Sequence, residues 1–191
     1  MLCSILAVWF AAAVLGQSAE EYRVKATFLF NFAKFVSWPP EAFKSASDPI
    51  AICVMGKDPF DGALEQAVRG QTVEGKPFAV RLVTDVKQIG GCHIAFLSAS
   101  ERKRMPSIFE EVKNSCVLTV GESDDFTGEG GVINFHIDEG RVRIQINLEA
   151  AGQQRLRISS KLLGVADIVK REIVKKEIVN KEIVKKEIVR K

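Results

Sequence analysis

The feature that most constrains the fold is a series of short apolar segments that alternate with helix-length segments between residues 50 and 120. Each apolar segment is rich in β-branched or aromatic side chains, which is typical of a strand that is buried on both faces. Strands that are separated by helical segments predict βαβ units and a largely parallel sheet. The predicted strands are Ile50–Met55, Phe78–Val83, Cys92–Leu97 and Val117–Val120.

Helices are predicted before, between and after these strands. Phenylalanines recur at helical spacing in the first helix, and two prolines follow its predicted end. Proline disfavours a helical conformation in the residue before it, so we expect the helix to stop there. Asp58 and Ser100 stand where helix caps are expected. The predicted helices are Glu20–Trp38, Pro59–Val68, Glu101–Asn114 and Ser159–Val169.

The pattern changes after the loop that ends at Gly131. Residues Val132–Ile137 and Arg141–Leu148 alternate apolar with polar side chains, and Asp138–Gly140 turns the chain between them. This alternation predicts a β-hairpin with one solvated face. Residues 20–169 are therefore expected to form a single compact α/β domain. It has a largely parallel central sheet, a C-terminal β-hairpin and flanking helices.

The first 16 residues have the pattern of a signal peptide. An uncharged apolar run is followed by small residues, and the first charged side chain is Glu20. The run is too short to span a bilayer, which needs about 20 apolar residues. We expect cleavage after Gly16, or as late as residue 19, and export of the mature protein to the periplasm.

Residues 170–191 form a charged repeat in which Glu-Ile-Val recurs four times at five-residue steps. This step spreads Ile and Val around a helix and sends them to alternate faces of a strand. Neither element therefore gains one apolar face. Each Glu stands four residues before a Lys, a spacing that supports a helix. We expect a solvated, partly helical extension.

The basic charge of the chain comes from this tail. Arg171 to Lys191 hold eight basic and four acidic residues, whereas the whole chain carries a net charge of +3. The remainder of the chain therefore has a net charge of −1. Because the domain is not basic, its charge gives no indication of a nucleic-acid-binding surface. We expect no nucleic-acid partner.

The sequence carries no recognisable catalytic, cofactor or metal motif. No His or Cys pair has the spacing of metal ligands, and there is no nucleophile elbow or phosphate-binding glycine loop. His93 lies in an apolar segment and is expected to be a satisfied core histidine. We therefore predict a protein that is not an enzyme and that needs no cofactor or metal.

Three cysteines follow the predicted signal peptide: Cys53, Cys92 and Cys116. An exported protein meets conditions in which disulfides form and persist. Cys53 lies in the first strand and Cys92 begins the third, so neighbouring parallel strands can bring the two together. We favour a Cys53–Cys92 bond, with Cys116 buried and free or bonded to another chain. Three reduced core cysteines are the alternative.

Six segments together carry a family resemblance: Tyr22–Pro39, Ile52–Phe60, Cys92–Ser98, Val120–Phe135, Arg141–Glu149 and Ser159–Leu163. In order and spacing they resemble the YfiR family of periplasmic proteins. The resemblance covers most of residues 20–169 and leaves the repeat tail without a counterpart.

The resemblance implies a regulatory protein. The best-known type of member binds the periplasmic sensor part of an inner-membrane diguanylate cyclase and restrains cyclic di-GMP synthesis. An outer-membrane lipoprotein can sequester that inhibitor. The resemblance also implies a Cys53–Cys92 disulfide and a ligand-contacting role for Arg157. We therefore expect a negative regulator with an inner-membrane sensor as its partner and an outer-membrane lipoprotein as a competitor. A homodimer is also allowed.

A periplasmic small-molecule-binding protein that is not coupled to a cyclase is the alternative. Open α/β sheets bind ligands at the carboxyl ends of their strands. Asp58 follows the first predicted strand, Glu122 follows the fourth, and Arg157 precedes the last predicted helix. These three side chains are the candidate ligand-binding residues.

Overall fold

The computed structural model describes the backbone of residues 3–45 and 47–169, and the side chains of residues 19–45 and 47–169. The side chains of the predicted signal peptide lie outside these ranges. The tail at residues 170–191, for which a partly helical extension was predicted, also lies outside them. The strands are β1 (Val36–Ser37), β2 (Ile50–Met55), β3 (Thr72–Val73), β4 (Lys76–Val83), β5 (Ile94–Leu97), β6 (Leu118–Gly121), β7 (Ile133–Asp138), β8 (Arg141–Asn147), β9 (Arg157–Ile158) and β10 (Asp167–Val169).

The helices flank these strands in the chain. The α-helices are α1 (Cys3–Phe35), α2 (Ala63–Val68), α3 (Met105–Glu111), α4 (Leu148–Gln153) and α5 (Ser160–Leu163), and 3-10 helices cover Pro40–Ala42, Val86–Gly91 and Ala99–Arg104. Among the residues that the structure describes, no helix is long and apolar enough to cross a membrane.

The strands form an eight-stranded sheet in the order β10-β8-β7-β6-β5-β2-β4-β3. Strands β4, β2, β5, β6 and β7 run parallel to one another, β3 runs antiparallel to β4, β8 runs antiparallel to β7, and β10 runs parallel to β8. A separate two-stranded ribbon pairs β1 with β9. The predicted α/β fold, with its largely parallel sheet and its hairpin, is therefore confirmed.

Helices cover both faces of the sheet and make three layers. The larger core lies between the sheet and α1, with α2 and α5 beside it, and includes Leu29, Phe32, Phe96 and Phe135. The smaller core lies between the opposite face and α3, and includes Met105. Because both faces of β2 are covered, all six of its residues are buried. This accounts for the unbroken apolar run in the sequence.

The predicted final helix, Ser159–Val169, is wrong in its second half. The helix α5 ends at Leu163, and Asp167–Val169 form the strand β10 beside β8. Val165, which lies within the predicted helix, is 65% exposed. The open edge of β8 offers backbone partners to this segment, and this pairing overrides the helical spacing of its aliphatic residues.

Two predicted helix starts are also wrong. The helix that ends at Val68 begins at Ala63 and not at Pro59, because Asp61 and Gly62 take positive φ angles of 48° and 80°. Asp58 accepts a hydrogen bond from the backbone N–H of Phe60, which makes a local turn and not a helix cap. The segment after residue 98 starts as a 3-10 helix, and its cap is Ser98 in place of Ser100.

Three smaller elements were not predicted. Leu148 begins the helix α4, where Asn147 accepts a hydrogen bond from the backbone N–H of Ala150. The segment after residue 70, for which no strand was predicted, contains the edge strand β3, which pairs with β4. The ribbon of β1 and β9 joins residues more than 100 positions apart, which no local pattern can indicate.

Candidate functional site

The two ends of the parallel strands differ in their polar side chains, and the carboxyl end is dominated by a buried ion pair. The ammonium of Lys25 lies 2.7 Å from a carboxylate oxygen of Glu122, and only 5% and 9% of these two side chains are exposed. Glu21 lies 2.5 Å from the same ammonium. Lys25 comes from α1 and Glu122 from the loop after β6, so the pair fastens the helix to this end of the sheet.

Tyr22 completes this cluster. Its hydroxyl donates a hydrogen bond of 3.2 Å to Glu122, and the Lys25 ammonium sits 4.6 Å from its ring centroid. Burial raises the pKa of Tyr22, and the negative charge of Glu122 raises it further. The phenol therefore stays protonated and remains a hydrogen-bond donor to Glu122.

The loop after β6 is closed over one aromatic ring. Phe126 is fully buried, and a Cβ added to Gly121 or Gly131 would collide with its ring. These two glycines therefore allow the loop to fold back on Phe126 and carry Glu122 inward. The carboxylate of Glu122, the first acidic residue of this loop, therefore contacts Lys25 and Tyr22 inside the domain.

The turn after β2 is also occupied by internal contacts. The backbone N–H of Lys57 donates to Ser100 Oγ at 3.0 Å. Gly56 has a φ of 91°, and an added Cβ would meet Ser100 and Glu101. Asp58 turns back on the N–H of Phe60. A ligand at the carboxyl end would have to compete with these contacts.

The amino end of the strands holds an open polar cleft of about 430 Å³. This volume falls in the usual range of small-molecule sites, about 300–1,000 Å³. The cleft lies where β2 and β5 begin. Its lining includes both charge signs, the disulfide and a thiol: Glu41, Lys44, Asp48, Arg81, Arg155, His93, Cys92 and Cys116.

His93 forms the back of this cleft. The backbone N–H of Ala51 donates to His93 Nδ1 at 3.0 Å, so Nε2 carries the proton and donates to the carbonyl of Ala42 at 3.2 Å. Phe43 stacks on the imidazole ring at 4.3 Å between ring centroids. Burial lowers the pKa of His93 below its usual value. His93 is thus a satisfied core histidine, as predicted, and it holds the segment after α1 against the sheet.

Arg155 ties three segments together at the rim of the cleft. Its guanidinium lies 2.6 Å from Glu41 Oε1, 3.3 Å from the carbonyl of Asn114 and 3.1 Å from Cys116 Sγ. Cys116 is buried and free. The cleft wall therefore depends on contacts between segments that are far apart in the sequence.

The predicted disulfide is present and lies beside this cleft. Cys53 and Cys92 are bonded, with 5.9 Å between their Cα atoms. Both sulfurs belong to the core under α3. The bond links the middle of β2 to the residue two positions before β5, and so holds the floor of the cleft in place.

Arg157 lies at the amino end as well. It pairs with Ser37 in the β1–β9 ribbon, directly after α1, whereas Asp58 and Glu122 lie at the carboxyl end. The structure therefore does not bring the three candidate ligand-binding residues together. Their roles in binding stay predictions. Within residues 19–45 and 47–169, the Arg157 side chain forms no hydrogen bond or ion pair.

Sequence reasoning missed Lys25, Arg155 and Trp38. The indole N–H of Trp38 donates to the carbonyl of His93 at 3.2 Å. Lys25 had one signal: it stands between Ala26 and Val24 in a helix that is apolar on more than one face, so its charge needed a partner. Arg155 had no signal, because its contacts come from three separate parts of the chain.

Fold and site together define a disulfide-bonded, three-layer α/β domain with a polar cleft at the amino ends of its strands. The chain belongs to the YfiR/HmsC-like family, whose profile matches residues 22–167. This family is known for periplasmic regulators of cyclase signalling, and it is regulatory rather than catalytic.

Other comparisons give weaker likenesses. No curated protein sequence matches the chain. A crystal structure of an ABC domain in complex with L-Trp from Streptococcus pneumonia is 11% identical, with a TM-score of 0.45 over 62% of this chain. A conserved domain protein from Vibrio cholerae is also 11% identical, with a TM-score of 0.47 over 63%. The chain spans 55% of the length of each. These likenesses are too low to indicate a ligand or a function.

Proposed function

We propose that this chain is a periplasmic, non-enzymatic regulator that binds and restrains the sensor domain of an inner-membrane signalling protein, a diguanylate cyclase in cyclic di-GMP signalling. The observation that carries the proposal is the family match across residues 22–167, nearly the whole described domain. The disulfide supports an oxidising compartment such as the periplasm.

The proposed mechanism is a population shift. The domain binds one state of the sensor and lowers the population of the active state. The change in the free energy between the two sensor states is set by the difference between the domain's binding free energies for them. An outer-membrane lipoprotein that competes for the same surface would release the cyclase.

The amino end of the sheet is the proposed contact surface. Arg157 is exposed there and stands outside the main sheet, in a ribbon that α1 and α4 support. Arginine is enriched in the residues that dominate binding energy at protein interfaces. At the carboxyl end, by contrast, Lys25 and Glu122 are buried against each other and offer no free charge to a partner.

The test is a cellular cyclic di-GMP measurement in the bacterium that carries this chain. Deletion of the gene should raise the cyclic di-GMP level, and expression of the wild-type chain should lower it again to the original level. Expression of Arg157→Glu should lower it much less. Arg141→Glu is the matched control, because Arg141 is also an exposed strand arginine but lies at the hairpin turn, at the other end of the sheet. It should restore the level as the wild type does.

Cross-linking identifies the partner. A photo-reactive residue at position 157 should capture an inner-membrane protein, and the same residue at position 141 should not. An unchanged cyclic di-GMP level after deletion, together with no membrane protein captured at position 157, would contradict the proposal.

A second candidate function is the binding of a small molecule without a cyclase. The cleft of about 430 Å³ favours it, because Arg81, Lys44 and Arg155 face a space large enough for a metabolite. Small carboxylates and phosphates suit such a lining. In a thermal unfolding screen with these compounds, a binder should raise the Tm of the wild type but not of Arg81→Glu. Stabilisation that survives Arg81→Glu would exclude the cleft.

A further inference from the structure

The last strand of the sheet, β10, has a sequence that the tail repeats. Its three residues are Asp167-Ile168-Val169, followed by Lys170-Arg171. From there the chain reads as four more units of an acidic residue, Ile, Val and two further residues: Glu172–Lys176, Glu177–Lys181, Glu182–Lys186 and Glu187–Lys191. The strand β10 is thus the first of five equivalent units.

The contacts of β10 show what such a unit needs. Ile168 pairs with Ile146 of β8, beside the larger core, and is 37% exposed. Asp167 Oδ2 lies 3.4 Å from His136 Nε2 across the solvated face of the hairpin. At this edge position, the carboxylate faces His136 and the aliphatic residue after it faces Ile146. An acidic residue followed by Ile therefore suits both faces of the sheet.

The repeat units carry the same acidic-Ile-Val order that this edge position accommodates in β10. A five-residue step gives neither a helix nor a strand one apolar face over the length of the tail. A single unit paired with β8 escapes this problem, because only three of its residues enter the sheet. In that register its Ile points to the core side and its Glu points toward His136.

We propose that the edge of β8 is a binding site for an acidic-Ile-Val strand, and that Glu172–Val174 of the same chain can take the place of β10 there. The exchange keeps the register, with Glu172 beside Gln145 and Ile173 beside Ile146. It lengthens the connection from α5 by one five-residue unit. The entropy cost of closing a loop grows slowly with its length, so one added unit is a small penalty.

As a consequence, the edge of β8 stays paired when β10 detaches from it. An exposed strand edge can pair with another chain and lead to aggregation. The four repeat units that follow β10 can pair with this edge when β10 does not. They also let the connection after α5 change length in steps of five residues.

The test replaces β10 and asks whether the tail compensates. The β10 variant carries Asp167→Gly, Ile168→Ser and Val169→Gly. The tail variant carries Ile173→Asn, Ile178→Asn, Ile183→Asn and Ile188→Asn, which keep the length of the chain. The equilibrium constant for unfolding in urea is measured for the wild type, for each variant and for the two combined.

The combined variant should have an unfolding constant about ten-fold larger than the β10 variant alone, as expected for the loss of one partly buried Ile. Hydrogen exchange should show slow amides at residues 172–174 in the β10 variant and not in the wild type. If the combined variant fails to fold while the β10 variant folds, the proposal is also supported.

The control is the opposite edge of the sheet. Val73→Ser in β3 should have the same effect with the native tail and with the tail variant, because no repeat copies that strand. Equal unfolding constants for the β10 variant and the combined variant would overturn the proposal. Compensation that depends on protein concentration would also overturn it, since the unit would then come from a second copy.

Discussion

The two ends of the sheet are stabilised in different ways. At the carboxyl end, Lys25 and Glu122 are buried against each other, and their polar atoms find partners inside the domain. At the amino end, Arg155 and Glu41 bridge segments at the rim of an open cleft and are about half exposed. A buried charge is costly without its partner, whereas an exposed one is solvated. The carboxyl end is therefore the structural anchor, and the amino end is free to contact other molecules.

The largest expected effect comes from breaking the anchor. Lys25→Met leaves the buried carboxylate of Glu122 without its cation, so the free energy of unfolding should fall by about 3–5 kcal/mol. Urea unfolding measures the loss. Lys34→Met, at an exposed position of the same helix, removes a cation–π contact with Phe30 and should cost no more than about 1 kcal/mol.

A double variant separates the buried charge from simple packing. Lys25→Met combined with Glu122→Gln removes both charges and should recover a large part of the loss. If the double variant is as unstable as the sum of the two single variants, the ion pair is not the anchor.

The next effect concerns the disulfide beneath the cleft. Replacement of Cys53 and Cys92 by Ala opens a loop of 39 residues, and stability should fall by about 3–4 kcal/mol in the chain-entropy account. A reductant should lower the Tm of the wild type and of Cys116→Ala, but not that of the double variant. A wild type that is insensitive to reductant would show that the amino end does not depend on this bond.

A smaller effect is expected at His93, because its imidazole joins Ala51 and Ala42. His93→Leu leaves the N–H of Ala51 without its acceptor, and stability should fall by about 1–3 kcal/mol at neutral pH. Urea unfolding at pH 7.5 checks the loss. His136→Leu, at the solvated face of the hairpin, serves as the comparison and should cost less.

The pH dependence of His93 has a defined sign. Burial lowers its pKa in the folded protein below the usual value of 6.5, so the unfolded chain takes up a proton at a higher pH than the folded one does. The contribution of His93 to stability is complete above pH 6.5 and is lost as the pH falls below that value. The stability difference between the wild type and His93→Leu should shrink between pH 7.5 and pH 5.5. An unchanged difference would contradict this assignment.

The smallest effect is expected at the rim. Arg155→Ala removes a half-exposed ion pair with Glu41 and a hydrogen bond to Asn114, so we expect a loss of about 1 kcal/mol. Raised salt should reduce the difference, because exposed pairs are screened. A loss as large as that of Lys25→Met would remove the distinction between the two ends.

The parts of the fold that follow local patterns were predicted well. The buried run of β2, the hairpin of β7 and β8, and the first helix each carry a periodicity that one element explains. The predicted end of that helix at Trp38 is wrong, because the helix ends at Phe35 and Val36–Ser37 form β1. The disulfide followed from cysteines in two neighbouring strands. The candidate site was predicted less well, since Asp58 and Glu122 were placed by a rule about strand ends and the structure gives both of them internal partners.

The sequence by itself determined the class of fold and the family, because strand and helix periodicities and the order of the family segments are written along the chain. The tertiary structure decided what lies between distant segments. It turned Asp167–Val169 into a strand, since β8 had an open edge. It buried Lys25, since Glu122 reached it from 97 residues away. The cleft lies at the amino end because Arg155, His93 and Glu41 are brought together there by contacts that no local pattern encodes.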